Sequence, residues 1–172
     1  YVPNLSGPVD LIKERAAMAR EAGAGGLMLA PGLVGWDVMR MIAADDDIAL
    51  PLLAHPALLG SYLASPTSGI APQALLGQLM RLAGADSVIF PHPGGRFPIT
   101  EADCRALLRG TEEPLGPARS LMPMPAGGIS LDRLPALRRF YGDDVAFLIG
   151  GDLHRASDLS QSCRRFRDLV EA

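Results

Sequence analysis

The stretch LMPMPAGGISLDRLPALRRFYGDDVAFLIGG, residues 121–151, decides the fold class of the chain. It contains two short apolar runs, residues 121–125 and 145–149, and a pair of glycines follows each run. Between the runs, residues 131–140 place apolar side chains every three or four positions, which predicts an amphipathic helix. The runs are apolar throughout, which favours strands buried on both faces of a parallel sheet. The stretch therefore predicts a strand, a helix and a second strand, with a glycine turn after each strand.

The same alternation of strand and helix extends along the whole chain. The predicted strands cover residues 1–4, 26–30, 48–54, 87–90, 121–125 and 145–149. The predicted helices cover residues 10–21, 37–44, 75–83, 101–109, 131–140 and 157–170, with Thr100 as the expected cap of the fourth, and residues 31–36 are predicted to form a loop. Six strand–helix units in a row predict an α/β fold, either a barrel or a doubly wound sheet. Because a TIM (β/α)8 barrel has eight such units, we expect residues 1–172 to supply the last six of them, with no second domain.

Composition and charge narrow the range of partners. The chain has 172 residues, of which 48% are hydrophobic and 20% charged, as is typical of one globular domain. The net charge of -3 argues against binding to nucleic acid or to an anionic membrane surface. No apolar run reaches the ~18 residues that a membrane span needs. Cys104 and Cys163 lie on predicted helices without a C-x-x-C pattern, so we expect reduced thiols and a cytoplasmic location.

The two glycine pairs, Gly127 with Gly128 and Gly150 with Gly151, each follow a predicted strand and precede a helix. Exposed backbone N–H groups near the start of a helix attract anions, and glycine lets a ligand approach the backbone closely. The loops after the last two strands also form the common phosphate site of TIM barrels. We therefore predict that these glycines bind a phosphate group. The alternative is two tight turns that need a positive φ angle.

Two further side chains are candidates for chemistry. His55 ends a predicted strand, and a histidine there can act as a general acid or base. Its alternative role is structural, with the ring bonded to the neighbouring backbone. Arg96 ends the glycine-rich loop PHPGGRF, residues 91–97, which reads either as a lid that brings a cation to the substrate or as a surface loop. We expect His92 to be exposed between its two prolines, and His154 to lie at the surface or at a helix start.

In this order, the loop residues resemble the RuBisCO large-chain superfamily, and in particular its RuBisCO-like branch (form IV). The segments that carry the resemblance are YVPNLSGP (1–8), RAAMAREAGAGGLMLAPGLVGW (15–36), LPLLAHPALLGSY (50–62), GQLMRLAGADSVIFPHPGGRF (77–97) and MPAGGISLDRLPALRRFYGDDVAFLIGGDLH (124–154). The resemblance implies the C-terminal part of a TIM barrel, from the third barrel strand to the last helix. The family's N-terminal α+β domain and first two barrel strands are then expected upstream of Tyr1.

The resemblance also implies roles for individual residues. His55 corresponds to a histidine that faces the substrate, Arg96 to the lysine of a mobile loop, and Asn4 to an asparagine at the end of the third barrel strand. The backbone amides that hold one substrate phosphate correspond to Gly128, Gly150 and Gly151.

Other positions depart from the carboxylases of the superfamily. Pro56 stands in place of a phosphate-binding arginine, and Leu59 and Ile89 each stand in place of a histidine. Ala126 replaces a serine that contacts the substrate, and Arg96 replaces lysine, which is not a conservative change. These departures argue against a photosynthetic carboxylase.

The RuBisCO-like branch implies an enzyme that uses Mg2+ to enolise, isomerise or decarboxylate a sugar phosphate, and that works as a homodimer. Its metal ligands form a Lys-x-Asp-Glu run on the second barrel strand, which is expected upstream of Tyr1. Two alternatives stay open. One is a relic that binds a sugar phosphate without turnover. The other is a phosphate-binding barrel of a different isomerase or aldolase family, although the strand ends offer no strong lysine or carboxylate candidate.

Overall fold

A computed structural model describes residues 1–63, 65, 67–95 and 97–171, so the predicted lid residue Arg96 lies outside the described residues. The strands are β1 (Leu27–Leu29), β2 (Leu52–Ala54), β3 (Ser87–Pro91) and β4 (Met122–Ala126). They form a parallel sheet in the order β1-β2-β3-β4. Consecutive parallel strands that stay neighbours indicate progress around a barrel and not a doubly wound sheet, whose strand order reverses.

The first and last predicted strands are each reduced to one pairing. Asn4 makes an isolated parallel bridge to Met28 of β1, and Leu148 makes one to Ala126 of β4. The backbone hydrogen bonds have ordinary lengths, 2.9 Å from Met28 N to Pro3 O and 3.1 Å from Leu148 N to Pro125 O. The order and direction of the six predicted units are therefore present, whereas full strands over residues 1–4 and 145–149 were a wrong prediction. Each of these two segments pairs with a sheet strand on one side in the described chain, which limits its hydrogen bonds.

The helices follow the predicted order with shifted ends. They are α1 (Ile12–Glu21), α2 (Pro31–Val34), α3 (Trp36–Ala43), α4 (Leu79–Leu82), α5 (Glu101–Glu112), α6 (Leu134–Tyr141), α7 (Gly151–His154) and α8 (Leu159–Glu171). A π-helical turn, Gln73–Gln78, leads into α4, and 3-10 turns span Val9–Leu11, Leu59–Tyr62 and Leu131–Arg133. The short helix α2 lies where the sequence predicted a loop. None of these helices, within the ranges that the structure describes, is long and apolar enough to cross a membrane.

Helix α5 shows why the sequence places helix starts well. Thr100 Oγ1 accepts a hydrogen bond from Asp103 N at 3.1 Å, and Asp103 Oδ2 accepts one from Thr100 N at 3.0 Å. This reciprocal capping box satisfies two backbone donors at the helix start and confirms the predicted Thr100 cap. Cys104 is buried on the same helix and Cys163 is exposed on α8, and both are free thiols.

The core lies between the sheet and the surrounding helices. Leu27, Leu29, Leu52, Val88 and Phe90 lie on one face of the sheet and are almost completely buried. On the opposite face, Met28 and Leu53 are half-buried, so the predicted burial of both faces is incomplete in β1 and β2. Because all four strands run parallel, their carboxyl ends meet at one edge of the sheet, and the loops that follow them share that edge.

Candidate functional site at the carboxyl ends of the strands

His55 follows β2 directly, and the backbone holds one of its ring nitrogens. Its N–H donates to Leu29 O at 2.8 Å, which extends the pairing of β2 with β1 by one residue. Its Nδ1 accepts a hydrogen bond from Ala57 N at 3.1 Å. Since a backbone N–H can only donate, Nδ1 carries no proton, and the neutral ring carries its proton on Nε2. Burial lowers the pKa of His55, which favours this neutral form.

The first glycine pair, Gly127 and Gly128, follows β4 in the left-handed region, with φ angles of +77° and +73°. A Cβ on Gly128 would lie 3.1 Å from both N and Cα of Gly95. A Cβ on Gly95 would lie 3.1 Å from Gly127 O. The loop after β3 and the loop after β4 are therefore in close backbone contact, and a Cβ on either Gly95 or Gly128 would force the two loops a few tenths of an ångström apart.

The second glycine pair has a different conformation. Gly150 has a φ of -137°, and Gly151 is the first residue of α7. No described atom lies within 4 Å of an ideal Cβ on Gly150, so the space beside it is open. Leu131 N donates to Asp152 Oδ2 at 3.0 Å, which links the loop after β4 to the start of α7. The structure thus brings the two pairs to the same edge, although only the first pair has the positive φ angles of a tight turn.

Asn4 lies beside β1, where its Oδ1 accepts a hydrogen bond from Ser6 N at 2.9 Å. Ser6 Oγ in turn accepts one from Ala30 N at 2.8 Å, so the start of the chain is tied to the end of β1. Asn4 is exposed. Its side chain therefore shapes a turn at the strand end.

His92 corrects the prediction from the sequence, which expected it to be exposed. It is 5% exposed and both ring nitrogens are engaged. Nδ1 lies 2.8 Å from Tyr141 Oη, and Nε2 lies 3.0 Å from Arg133 Nη2. Burial, and then the positive charge of Arg133, lower the pKa of His92 to about 4. The partners lie more than 40 residues along the chain, so the local Pro-His-Pro pattern held no signal for them.

The remaining predicted histidine, His154, ends α7 and is exposed, in line with a surface position. An apolar groove of about 860 Å³ opens between the segments that follow β2 and β3. Tyr62, Ile70, Phe97 and Ile99 are among its lining residues. The sequence did not indicate this groove, because its walls come from two loops brought together by the parallel sheet.

Within the described ranges, no group of three or more His, Cys, Asp or Glu side chains is placed to hold a metal ion. The Lys-x-Asp-Glu run of the family remains an expectation for another part of the protein.

Comparison with known proteins gives a consistent set of relatives, although no family model matches the chain. RuBisCO-like protein 1 of Rhodopseudomonas palustris is 41% identical over 167 residues, covering 96% of this chain and 44% of that protein. A 5-methylthioribulose-1-phosphate isomerase of Rhodospirillum rubrum is 39% identical over 158 residues, covering 92% of this chain and 40% of that protein. A 2,3-diketo-5-methylthiopentyl-1-phosphate enolase of Geobacillus kaustophilus is 34% identical over 173 residues, covering 100% of this chain and 42% of that protein. The chain thus spans less than half the length of these relatives.

Solved structures agree with the sequence relatives. A RuBisCO-like protein of Alicyclobacillus acidocaldarius superposes with a TM-score of 0.91 at 38% identity, covering 100% of this chain and 43% of that one. A RuBisCO of Pyrococcus horikoshii superposes with a TM-score of 0.89 at 23% identity, covering 98% of this chain and 40% of that one, which shows a shared fold. The described residues therefore form part of a RuBisCO-type α/β barrel. The chain belongs to the RuBisCO large-chain superfamily, where it is similar to the C-terminal portion of the RuBisCO-like proteins. The resemblance seen in the sequence is confirmed.

Proposed function

We propose that the protein to which this chain belongs is an enolase or isomerase of a sugar phosphate, of the RuBisCO-like type. The names of two relatives describe five-carbon 1-phosphates with a methylthio group on carbon 5. Such a substrate needs an anion site for one end and apolar surface for the other. The observation that carries the proposal is that His55, both glycine pairs and an apolar groove lie at one edge of the parallel sheet.

The phosphate end is assigned to the two glycine pairs, Gly127 with Gly128 and Gly150 with Gly151. Backbone N–H groups bind phosphate without a side-chain charge, and the open space at Gly150 leaves room for an anion. Asn4 is assigned to the substrate-facing end of the first segment, and Arg96 to the loop that covers the substrate. Support for the last two roles comes from the resemblance alone.

His55 is assigned to proton chemistry at the carbonyl end of the reaction. With Nδ1 held by Ala57 N, the neutral ring presents the Nε2 proton as a donor. Enolisation develops negative charge on a carbonyl oxygen, and a fixed donor stabilises that charge. His55 is therefore expected to act as an acid or to orient the substrate, and not to remove the first proton in this tautomer.

The apolar end of the substrate is assigned to the groove between the segments after β2 and β3. Ile70 and Ile99 line this groove. Apolar walls of this kind suit a methylthio group better than the second phosphate of a bisphosphate substrate.

Mg2+, a homodimer and a cytoplasmic location complete the proposal and rest on the family. The Mg2+ ligands would come from residues other than those described here, so no step through the metal is derived. One structural neighbour is a dimeric archaeal RuBisCO of Hyperthermus butylicus, with a TM-score of 0.84 at 20% identity.

The proposal is tested with the complete gene product, Mg2+ and the two methylthio sugar phosphates named above. Deuterium exchange next to the carbonyl, followed by proton NMR, should detect enolisation of one of them. The variant His55→Gln should lower kcat by roughly 10²-fold or more with a small change in KM, as expected for a proton-transfer group. His154→Gln is the matched control, because His154 is exposed at the end of α7.

Two outcomes would contradict the proposal. Carboxylation of ribulose bisphosphate would show that the protein is a carboxylase. Tight binding of a methylthio sugar phosphate with no exchange and no product would instead identify a binding relic without turnover.

A further inference from the structure

Arg133 joins the two loops that follow β3 and β4. Its Nη1 donates to Gly128 O at 2.9 Å, in the first glycine pair. Its Nη2 donates to Pro93 O at 3.1 Å and contacts His92 Nε2 at 3.0 Å, both in the loop after β3. One guanidinium group therefore contacts two backbone carbonyls and one buried ring. A planar fork of donors suits this task, whereas a lysine offers one ammonium group.

The direction of the hydrogen bonds can be worked out from chemistry. Arginine only donates, so His92 Nε2 accepts, and the neutral ring carries its proton on Nδ1. Nδ1 then donates to Tyr141 Oη at 2.8 Å. The Tyr141 hydroxyl accepts this bond, and the buried thiol of Cys104 donates to Pro91 O, the last residue of β3, at 3.8 Å. A single proton arrangement therefore satisfies the contacts from Arg133 through His92 to Tyr141.

The glycines of the loop after β3 lie close to both Arg133 and the first glycine pair. Gly94 has a φ of +87°, and a Cβ there would lie 3.1 Å from Arg133 Nη1. The next residue, Gly95, is in backbone contact with Gly128. The loop after β3 is thus held between the guanidinium group and the first glycine pair.

We propose that Arg133 is a positioning residue for the phosphate site, because it fixes the first glycine pair against the loop after β3 through the neutral ring of His92. This inference rests on the proposed function, since it assumes that the first glycine pair binds phosphate. Arg133 itself binds two carbonyls and a ring, so its role is to orient the backbone N–H groups that would meet the anion.

Protonation of His92 would break this arrangement. It would turn Nε2 from an acceptor into a donor and place two positive charges side by side. The groups that face the His92 ring are Arg133, Tyr141 and the nearby carboxylate of Glu101, with Cys104 behind Tyr141. Burial and Arg133 both oppose protonation, so the arrangement holds at neutral pH.

The first part of the test measures binding of inorganic phosphate to the complete gene product by isothermal titration calorimetry. Arg133→Met should weaken binding roughly tenfold or more, the effect expected when charged hydrogen bonds to the backbone are lost. Arg133→Lys, which keeps the charge, should weaken it less. Arg139→Met, at an exposed position of α6, is the matched control and should bind as the wild type does.

The second part reads the proton position on His92 by nitrogen NMR, which needs no phosphate. The wild type should show the Nδ1–H tautomer, and Arg133→Met should lose that preference while Arg139→Met keeps it. A wild type with the proton on Nε2, or Arg133→Met with wild-type phosphate affinity, would overturn the inference. Failure of the wild type to bind phosphate, with His92 still in the Nδ1–H form, would instead overturn the proposed function and the phosphate role with it.

Discussion

The two glycine pairs have the same sequence and follow neighbouring strand segments, yet the structure uses them differently. Gly127 and Gly128 have positive φ angles, and Gly128 touches the backbone of Gly95. Gly150 has a φ of -137°, and no described atom lies within 4 Å of its ideal Cβ position. The first pair therefore depends on glycine for its positive φ angles and its close packing. Gly150 has neither a positive φ angle nor a close neighbour.

This difference shows that a glycine pair can serve two separate physical purposes. At the first pair, glycine allows two loops to approach and a left-handed turn to form. At Gly150, the absence of a side chain leaves open space, which affects function only if a ligand such as phosphate occupies it. Of the two alternatives drawn from the sequence, the tight turn is therefore present at the first pair only, and it leaves the backbone N–H groups of that pair available for the phosphate role proposed above.

The largest expected effect is that of Gly128→Ala on stability. An alanine at this position would have to adopt a positive φ angle. Its Cβ would also lie 3.1 Å from backbone atoms of Gly95, which cannot rotate away as a side chain could. We expect the free energy of unfolding to fall by about 2–4 kcal/mol, combining left-handed strain with overpacking. Urea denaturation of the complete gene product measures this loss. The matched variant Gly150→Ala should change stability by less than about 0.5 kcal/mol, and equal losses in both would remove the contrast between the pairs.

An intermediate effect is expected from acid, because His92 supports the first pair and not the second. The pKa of His92 is about 4 in the folded protein and about 6.5 when unfolded. Between these values the unfolded state binds the extra proton, so stability is retained above about pH 6.5 and falls as the pH drops towards 4. The loss should be on the order of 2 kcal/mol.

The readout for this acid effect is the pH dependence of unfolding in the wild type and in His92→Gln. The variant should lose the part of the slope that His92 contributes, and His154→Gln should keep it. Hydrogen exchange should show the Gly95 amide, which donates to His92 O at 3.2 Å, becoming less protected at low pH, while the His154 amide, which donates to Gly150 O at 3.1 Å, keeps its protection. Parallel slopes in the wild type and His92→Gln would contradict the role of the buried ring.

The smallest effect is expected for Gly127→Ala, which separates conformation from packing. Gly127 has a φ of +77°, but no described atom lies within 4 Å of its ideal Cβ position. Only the conformational cost applies, about 1 kcal/mol. Gly127→Asn should cost less, since asparagine adopts the left-handed region more readily. Thermal unfolding of the two variants gives the comparison, and a loss at Gly127 as large as that at Gly128 would show that close packing is not the cause.

Much of the fold was predictable, because local patterns of apolar residues indicate the alternation of strands and helices. The positions of β3, β4, α1 and α5 were predicted to within a few residues, and Thr100 was recognised as a helix cap. The strand ends were less accurate, since residues 48–54 reduce to β2 at Leu52–Ala54. Where a strand stops depends on its neighbours' hydrogen bonds, which local sequence does not specify.

The candidate site was predictable in part. His55 was placed correctly at the end of a strand. The structural alternative for its ring, a hydrogen bond to the neighbouring backbone, is also present, because Ala57 N donates to its Nδ1. His92 was placed wrongly at the surface, and Arg133 carried no local signal at all. Both owe their roles to contacts about 40 residues away along the chain.

The sequence by itself determined the order of strands and helices, the parallel direction of the sheet and the edge at which the loops gather. These properties follow from apolar periodicity and from the geometry of strand–helix units. Only the tertiary structure decided which glycine pair is packed, why His92 is buried and neutral, and how Arg133 joins two loops. It also decided that Arg81 is buried against four backbone carbonyls between 29 and 38 residues away. The physical reason is that hydrogen bonds and close backbone contacts depend on partners that meet only after the chain has folded.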